Sequence, residues 1–393
     1  MTRRAVIGGC ALGFATGWNI ANTGAIASRL AETYGVRLAV IGLFTTMLFV
    51  THVAMQIPAG RASDRFGPRR VGVIAITLLL VFNALALIAP DPTLALVARL
   101  LIGIGTGLGF ISGSAYVRAQ SGSAFAQGLF GGFALGGAGV ALAVVPTVVT
   151  LGAVGWRAPF VTAIVVAIVA LALLLAGPAD EPRKAVAREE HLPTGVIRDV
   201  RLYKLAVLFS CSLGLSVVIG NWTTTLLQRA GGMSLGAAGA VAALTLALGV
   251  VSRPLGGWIL QTRPAHVRAI VAACLVAGAI GCLAVAAARP PALVAFGAML
   301  IGIAAGIPFA PAFQGAARLR PDAQAAAVGF VNGAASIVIL VGTPLVGLAF
   351  SLPGGGRTGF IVVGVLWALA LFLLPSAYAL TGEITGVAES RSG

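Results

Sequence analysis

Between two long apolar runs the chain reads Gly60-Arg61-Ala62-Ser63-Asp64-Arg65-Phe66-Gly67-Pro68-Arg69-Arg70. Gly60 and Gly67 supply the small, flexible residues that a tight turn between two helices needs. The flanks, roughly residues 39–60 and 71–89, are mostly apolar over the length of about 20 residues that crosses a bilayer core. Asp64 and the arginines can pair with one another and with helix ends, so their separation can differ between two packings. A basic turn between two membrane spans is therefore the first unit of the fold.

Working outward, the same pattern of apolar runs and short polar turns continues in both directions. Runs at roughly 5–28, 39–60, 71–89, 93–117, 124–151 and 158–177 form one group of six. A second six lies at roughly 205–228, 237–260, 269–288, 292–317, 324–351 and 358–380. The predicted architecture is all-α and polytopic, with 12 transmembrane helices in two bundles. Residues 1–177 form the first, 178–204 a cytoplasmic linker, 205–380 the second, and 381–393 a cytoplasmic tail. A transmembrane β-barrel is excluded, because no alternating segments of about ten residues occur.

Composition agrees. The chain is 59% hydrophobic and 9% charged, far from the roughly 25% charge of a soluble domain. Disordered chains are poor in apolar residues, which excludes that class too. The 26 Lys+Arg against 11 Asp+Glu suggest nucleic acid only until their positions are read. They lie between apolar runs instead of clustering on one basic face. With the N-terminus inside, 18 fall on inner segments and 6 on outer ones, leaving Arg99 and Arg253 within spans. Both termini are then expected in the cytoplasm. Cys10, Cys211, Cys274 and Cys282 all lie in predicted spans and read as small apolar residues. No metal or cofactor is expected.

The second half repeats the first at a nearly constant offset. Gly35, Leu38 and Gly42 match Gly232, Leu235 and Gly239; Gly103 and Gly107 match Gly302 and Gly306; Gly128 and Gly132 match Gly329 and Gly333. Parallel six-helix repeats place a substrate site near the midplane, between the halves. In span 5, Gly128, Gly132 and Gly136 recur every four residues, a stripe that lets a neighbouring helix approach closely.

The opening stretch resembles the loop signature of the major facilitator superfamily, G-x-x-x-D-R-x-G-R-R, with Pro68 inserted before the last two arginines. The resemblance extends over the whole chain and implies a secondary transporter working by alternating access, not an enzyme. It implies a gating loop of Gly60, Asp64, Arg65, Gly67, Arg69 and Arg70, with Arg118 as the basic partner near Asp64. The second-half copy, Gly257 to Arg263, carries Gln261 where Asp64 stands. Arg99-Leu100-Leu101-Ile102-Gly103 is similar to the family's R-x-x-Q-G element with Ile102 replacing Gln, which implies a coupling role for Arg99. Snorkelling of Arg99 to the outer interface is the competing reading.

None of the eleven acids falls in the middle of a span. Arg253, in span 8, therefore has no intramembrane carboxylate to pair with, and a centrally placed arginine costs about 2.5–3.5 kcal/mol to insert. A bound anion would account for it, as would snorkelling or bonding to helix carbonyls. At offset 197 Arg253 superposes on Gln56, one helical turn from His52. His52 is a candidate for substrate binding and for proton coupling, or a packing histidine. Further candidates are Asn19 and Asn22 in span 1, Asn221 and Trp222 in span 7, Gln314 in span 10 and Asn332 in span 11. Amides in such positions also serve as glue between helices. Pro308 and Pro311 are expected to bend span 10 near Phe309 and Phe313.

Arg253-Pro254-Leu255-Gly256-Gly257-Trp258 is similar to the nitrate/nitrite porters, which pair arginines on spans 2 and 8. Gln56 in place of the first arginine favours a monovalent organic anion. The expected protein is a monomer in a prokaryotic inner membrane, and its expected solute is a small organic or inorganic anion. Efflux of a neutral or amphipathic compound is the alternative, followed by a non-transporting assembly factor or sensor.

Overall fold

The computed structural model describes residues 2–121, 124–152, 154–180, 196, 198–321 and 324–382. Most of the expected linker, nearly all of the tail and the Asp64 side chain lie outside the described residues. Among those described there is no strand, and each of the twelve predicted runs contains helix. Among the described residues nine helices are long and apolar enough to cross a membrane, or ten if the bent pair Leu38–Ala54 and Gln56–Ser63 counts as one span.

The first half contains α1 (Thr2–Ala21), α2 (Ala27–Tyr34), α3 (Leu38–Ala54), α4 (Gln56–Phe66), α5 (Pro68–Leu85), α6 (Pro92–Ser121), α7 (Ala124–Thr150) and α8 (Ala158–Leu175). The second contains α9 (Val200–Phe209), α10 (Ser216–Arg229), α11 (Leu235–Ala247), α12 (Gly249–Thr262), α13 (Val267–Ala286), α14 (Pro291–Gly306), α15 (Phe309–Leu319), α16 (Gln324–Ala349), α17 (Arg357–Leu369) and α18 (Ala377–Thr381). The first predicted run, 5–28, is not one rod. Its helix stops at Ala21, and the chain turns at Gly24–Ile26 into the short α2. The last run also ends early, at Leu373, because Pro375 follows and cannot continue the helix.

Several spans break near mid-depth. Span 2 bends by 46° at Met55, since Pro58 has no N–H for the Ala54 carbonyl. Span 8 breaks at Leu248, between α11 and α12, and span 10 breaks at Ile307 and Pro308, where a bend was expected. Span 7 carries a π-helical turn at Ser210–Leu215, whose Ser212 hydroxyl donates to the Ala305 carbonyl. Such turns recur at functional sites.

Small residues set the packing inside each half in the same way. A Cβ at Gly103 or Gly107 would overlap or crowd the backbone of span 2 at Leu48 and His52. One at Gly302 or Gly306 would do the same to span 8 at Leu244 and Ser252. The two halves meet along α7 with α11 and α12, and along α3 with α16. Gly139 lies so close to Ala247 that no side chain fits, and Gly132 and Gly136 lie against Gly249 and Val250. The span-5 glycine stripe thus seats span 8.

Candidate functional site

A narrow cavity lies between the halves, within about 530 Å³ of non-atom space that includes the open solvent at its mouth. Its first-half wall comes from Thr16, Gly17 and Ile20 on α1, Phe49 and His52 on α3, Phe110 on α6, and Ala134, Leu135 and Ala138 on α7. Its second-half wall comes from Phe209, Leu213 and Val217 in span 7, Arg253 on α12, Phe309 on α15, and Asn332 and Ser336 on α16. Broken helices therefore contribute much of the lining. His52 lies one turn from the span 2 bend, Arg253 follows the span 8 break, and Phe309 opens the helix after the span 10 break.

Arg253 is 2% exposed. Its Nη1 donates to the Gly131 carbonyl at 2.7 Å, across the boundary between the halves, and its guanidinium lies 4.2 Å from the Phe309 ring centroid. Its Nε and Nη2 have no hydrogen-bond partner among the described residues. Among the described residues no carboxylate reaches it. A cation–π contact of this kind contributes on the order of 0.5–2 kcal/mol, and it leaves the in-plane donors unused. Gly131 makes the approach possible, because a Cβ there would stand 3.0 Å from Phe309 Cζ and 3.5 Å from Arg253 Nη1.

His52 is buried, with Nδ1 3.0 Å from the Thr106 hydroxyl and Phe49 and Phe110 ring centroids at 5.1 and 6.3 Å. Gln56 donates from Nε2 to the His52 carbonyl at 3.1 Å and accepts at Oε1 from Asn332 Nδ2 at 3.4 Å. The latter bond also crosses between the halves. Arg253, His52 and Asn332 are thus brought to one cavity, with Gln56 bonded beside it.

The other sequence candidates are placed elsewhere. Asn19 and Asn22 point into the first bundle. Asn19 donates to the Ala15 carbonyl and accepts from Asn83, while Asn22 donates to the Pro159 carbonyl and accepts from Arg99 Nη1 at 3.2 Å. Arg99 is fully buried and also donates from Nε to the Phe44 carbonyl at 3.2 Å. It therefore sits in a polar network inside the first bundle and does not snorkel to the surface. Trp222 packs inside the second half, with Nε1 donating to the Thr343 carbonyl at 2.8 Å. Gln314 accepts from Arg318 one turn away. Asn221 is buried near Gly24, and among the described residues neither of its side-chain polar atoms has a partner.

The cavity is closed at one end. There a Cβ at Gly42 would lie 2.9 Å from Pro344 Cα, and one at Gly239 would lie 2.6 Å from the Leu142 carbonyl. At the end bearing the 60–70 turn the fit is loose. Gly329 and Gly333 share a helical face with Asn332 and Ser336, and they have open space where a Cβ would stand. Gly60 is open as well.

The turn itself is anchored within the first half. Gly67 adopts φ 92°, and a Cβ there would overlap the Asp180 carboxylate. Asp180 accepts the backbone N–H groups of Arg69 and Arg70 at 2.9 and 3.1 Å, capping the start of α5. The Arg69 side chain donates to the Leu174 and Leu175 carbonyls, and the Tyr116 hydroxyl donates to the Pro178 carbonyl. Arg65 lies over Phe66, and Arg118 is exposed. The expected Asp64–Arg118 pairing lies outside the described residues.

Sequence reasoning did not single out Gly131, Thr106, Phe49, Phe110, Phe209 or Ser336. Ser336 had a signal, four residues after Asn332 on the same helical face. Gly131 had none of its own, because its backbone oxygen is what acts.

A family model described as Major Facilitator Superfamily matches residues 8–311. The gentisate transporter of Corynebacterium glutamicum is 25% identical over 404 aligned residues, covering 94% of this chain and 87% of that protein. The probable sulfoacetate transporter SauU of Cupriavidus necator is 30% identical over 167 residues, covering 41% of this chain and 38% of its own. A crystal structure of the nucleoside transporter NupG superposes with a TM-score of 0.74 at 15% identity, over 96% of this chain and 100% of that one, a likeness of fold.

Proposed function

The chain belongs to the major facilitator superfamily, and we propose that within it the protein carries a small organic anion by alternating access. It is a multi-pass membrane protein and a solute transporter, not an enzyme. The observation carrying the anion reading is Arg253, buried at the inter-half cavity with Nε and Nη2 unpartnered. A guanidinium offers paired donors that match a carboxylate or sulfonate. Two relatives named for gentisate and for sulfoacetate support an anionic solute. Apart from Thr16, His52, Asn332 and Ser336 the rest of the wall is apolar, so the anion is expected to be organic.

In this reading residues 1–177 and 205–380 rock as two bodies joined by 178–204, in the cytoplasmic membrane with both termini inside. The tight end then faces outward and the loose end inward, so this is an inward-facing arrangement. Gln56 and Asn332 hold the halves together weakly at the inner side, and the loop anchored by Asp180 moves with the first body.

The test is ligand-induced thermal stabilisation of the purified protein, screened against organic carboxylates, sulfonates, nitrate and neutral amphiphiles. Stabilisation by organic anions supports the reading, and stabilisation by neutral compounds alone overturns it. The apolar walls favour one competing reading, efflux of a neutral amphipathic compound. It predicts transport that survives loss of Arg253.

A further inference from the structure

We infer that His52 reads the far end of the substrate, accepting a hydrogen bond from a hydroxyl group on an aromatic carboxylate whose acid end Arg253 holds. This rests on the anion reading of Arg253 given above.

Two features of the cavity specify the substrate body. Its charged and polar reading groups come from opposite halves, Arg253 from α12 and His52 from α3. Its remaining walls present rings on both sides, Phe49 and Phe110 beside His52, and Phe209 and Phe309 beside Arg253. A flat aromatic body packs against such rings in offset or edge-on contact, where a flexible aliphatic chain loses more freedom.

The hydrogen-bond polarity of His52 is set by its neighbour. Thr106 has one hydroxyl proton, and it donates that proton to the Gly103 carbonyl at 3.0 Å. With that proton on the carbonyl the Thr106 oxygen accepts, and we assign the ring proton of His52 to Nδ1, 3.0 Å from it. Nε2 is left with a lone pair as the ring nitrogen available to the cavity. A lone pair there attracts a hydroxyl proton and repels an ether oxygen. An unsubstituted ring leaves it unpaired, and sites built to bond a substrate hydroxyl discriminate against analogues that lack it.

The test is calorimetric titration of the full chain in detergent with benzoate, its monohydroxy isomers and the matching monomethoxy isomers. At least one hydroxy isomer is expected to bind about tenfold tighter than benzoate and than its own methoxy counterpart. In His52→Leu that preference falls toward one. In Thr106→Val the ring proton is free to move to Nε2, and the methoxy isomer gains on the hydroxy isomer. A hydroxyl preference that persists unchanged in both variants overturns the role of His52 and leaves that of Arg253 standing. Failure of the wild-type protein to bind any of these anions overturns the anion reading, and this inference with it.

Discussion

Gly42 of span 2 faces Pro344 of span 11 across the boundary between the halves, with 2.9 Å between a notional Cβ and the proline Cα. The repeat places the same pair on the other side, where Gly239 of span 8 faces Pro146 of span 5 at 2.7 Å from the ring. Two pseudo-equivalent glycine–proline contacts therefore seal the end of the cavity away from the 60–70 turn. Backbone lies on one side of each contact, so there is no flexible side chain to move aside.

Gly239→Val is expected to pry that seal open. Overpacking of this kind costs about 1–3 kcal/mol, enough to shift a two-state equilibrium by roughly fivefold to a hundredfold. The measurement is labelling of Ala138→Cys, a cavity-lining position, by a membrane-impermeant thiol reagent applied from outside. Labelling should rise several-fold in the double variant, and an unchanged rate would contradict the seal.

Phe309 is expected to hold Arg253 through its ring face. Phe309→Leu should weaken anion binding about fivefold, whereas Phe309→Tyr, which keeps the ring, should stay near wild type. Gly131→Ala should fall between them, because its Cβ would press on Phe309 Cζ. Equal losses in the Leu and Tyr variants would show that volume, not the ring face, is what matters.

Asn221 is expected to favour opening of the outer end. Its amide, with the hydroxyls of Thr23, Thr224 and Thr225, is buried without partners in the closed arrangement. Each such group costs about 1–3 kcal/mol that hydration in an outward-facing state would recover. Asn221→Leu should therefore raise the melting temperature by a few degrees and slow turnover. A lower melting temperature with normal turnover would contradict this.

The spans were legible because apolar length is a one-dimensional property, and the break at Pro308 because proline carries its consequence in its own ring. The π turn at Ser210–Leu215 was not legible, since it depends on how span 7 meets Ala305. Arg253 stood out through the cost of an unpaired charge. Asn19 and Asn22 looked equivalent to cavity amides, because sequence does not tell which carbonyl an amide will find. The neighbour that decides Asn19 is Asn83 in span 3, which the sequence reading did not single out. Gly131 and Thr106 act through a carbonyl and a proton position, which only the packed structure reveals.

Arg253 is the proposed anion-binding group, and its replacement is the most direct test. Uptake of radiolabelled benzoate and hydroxybenzoates into proteoliposomes should be compared for wild type, Arg253→Ala and Arg253→Lys. Lysine keeps the charge and loses the planar fork, so both variants are predicted to fall at least tenfold at equal reconstitution. Wild-type uptake by either variant would contradict the assignment of Arg253 as the anion site.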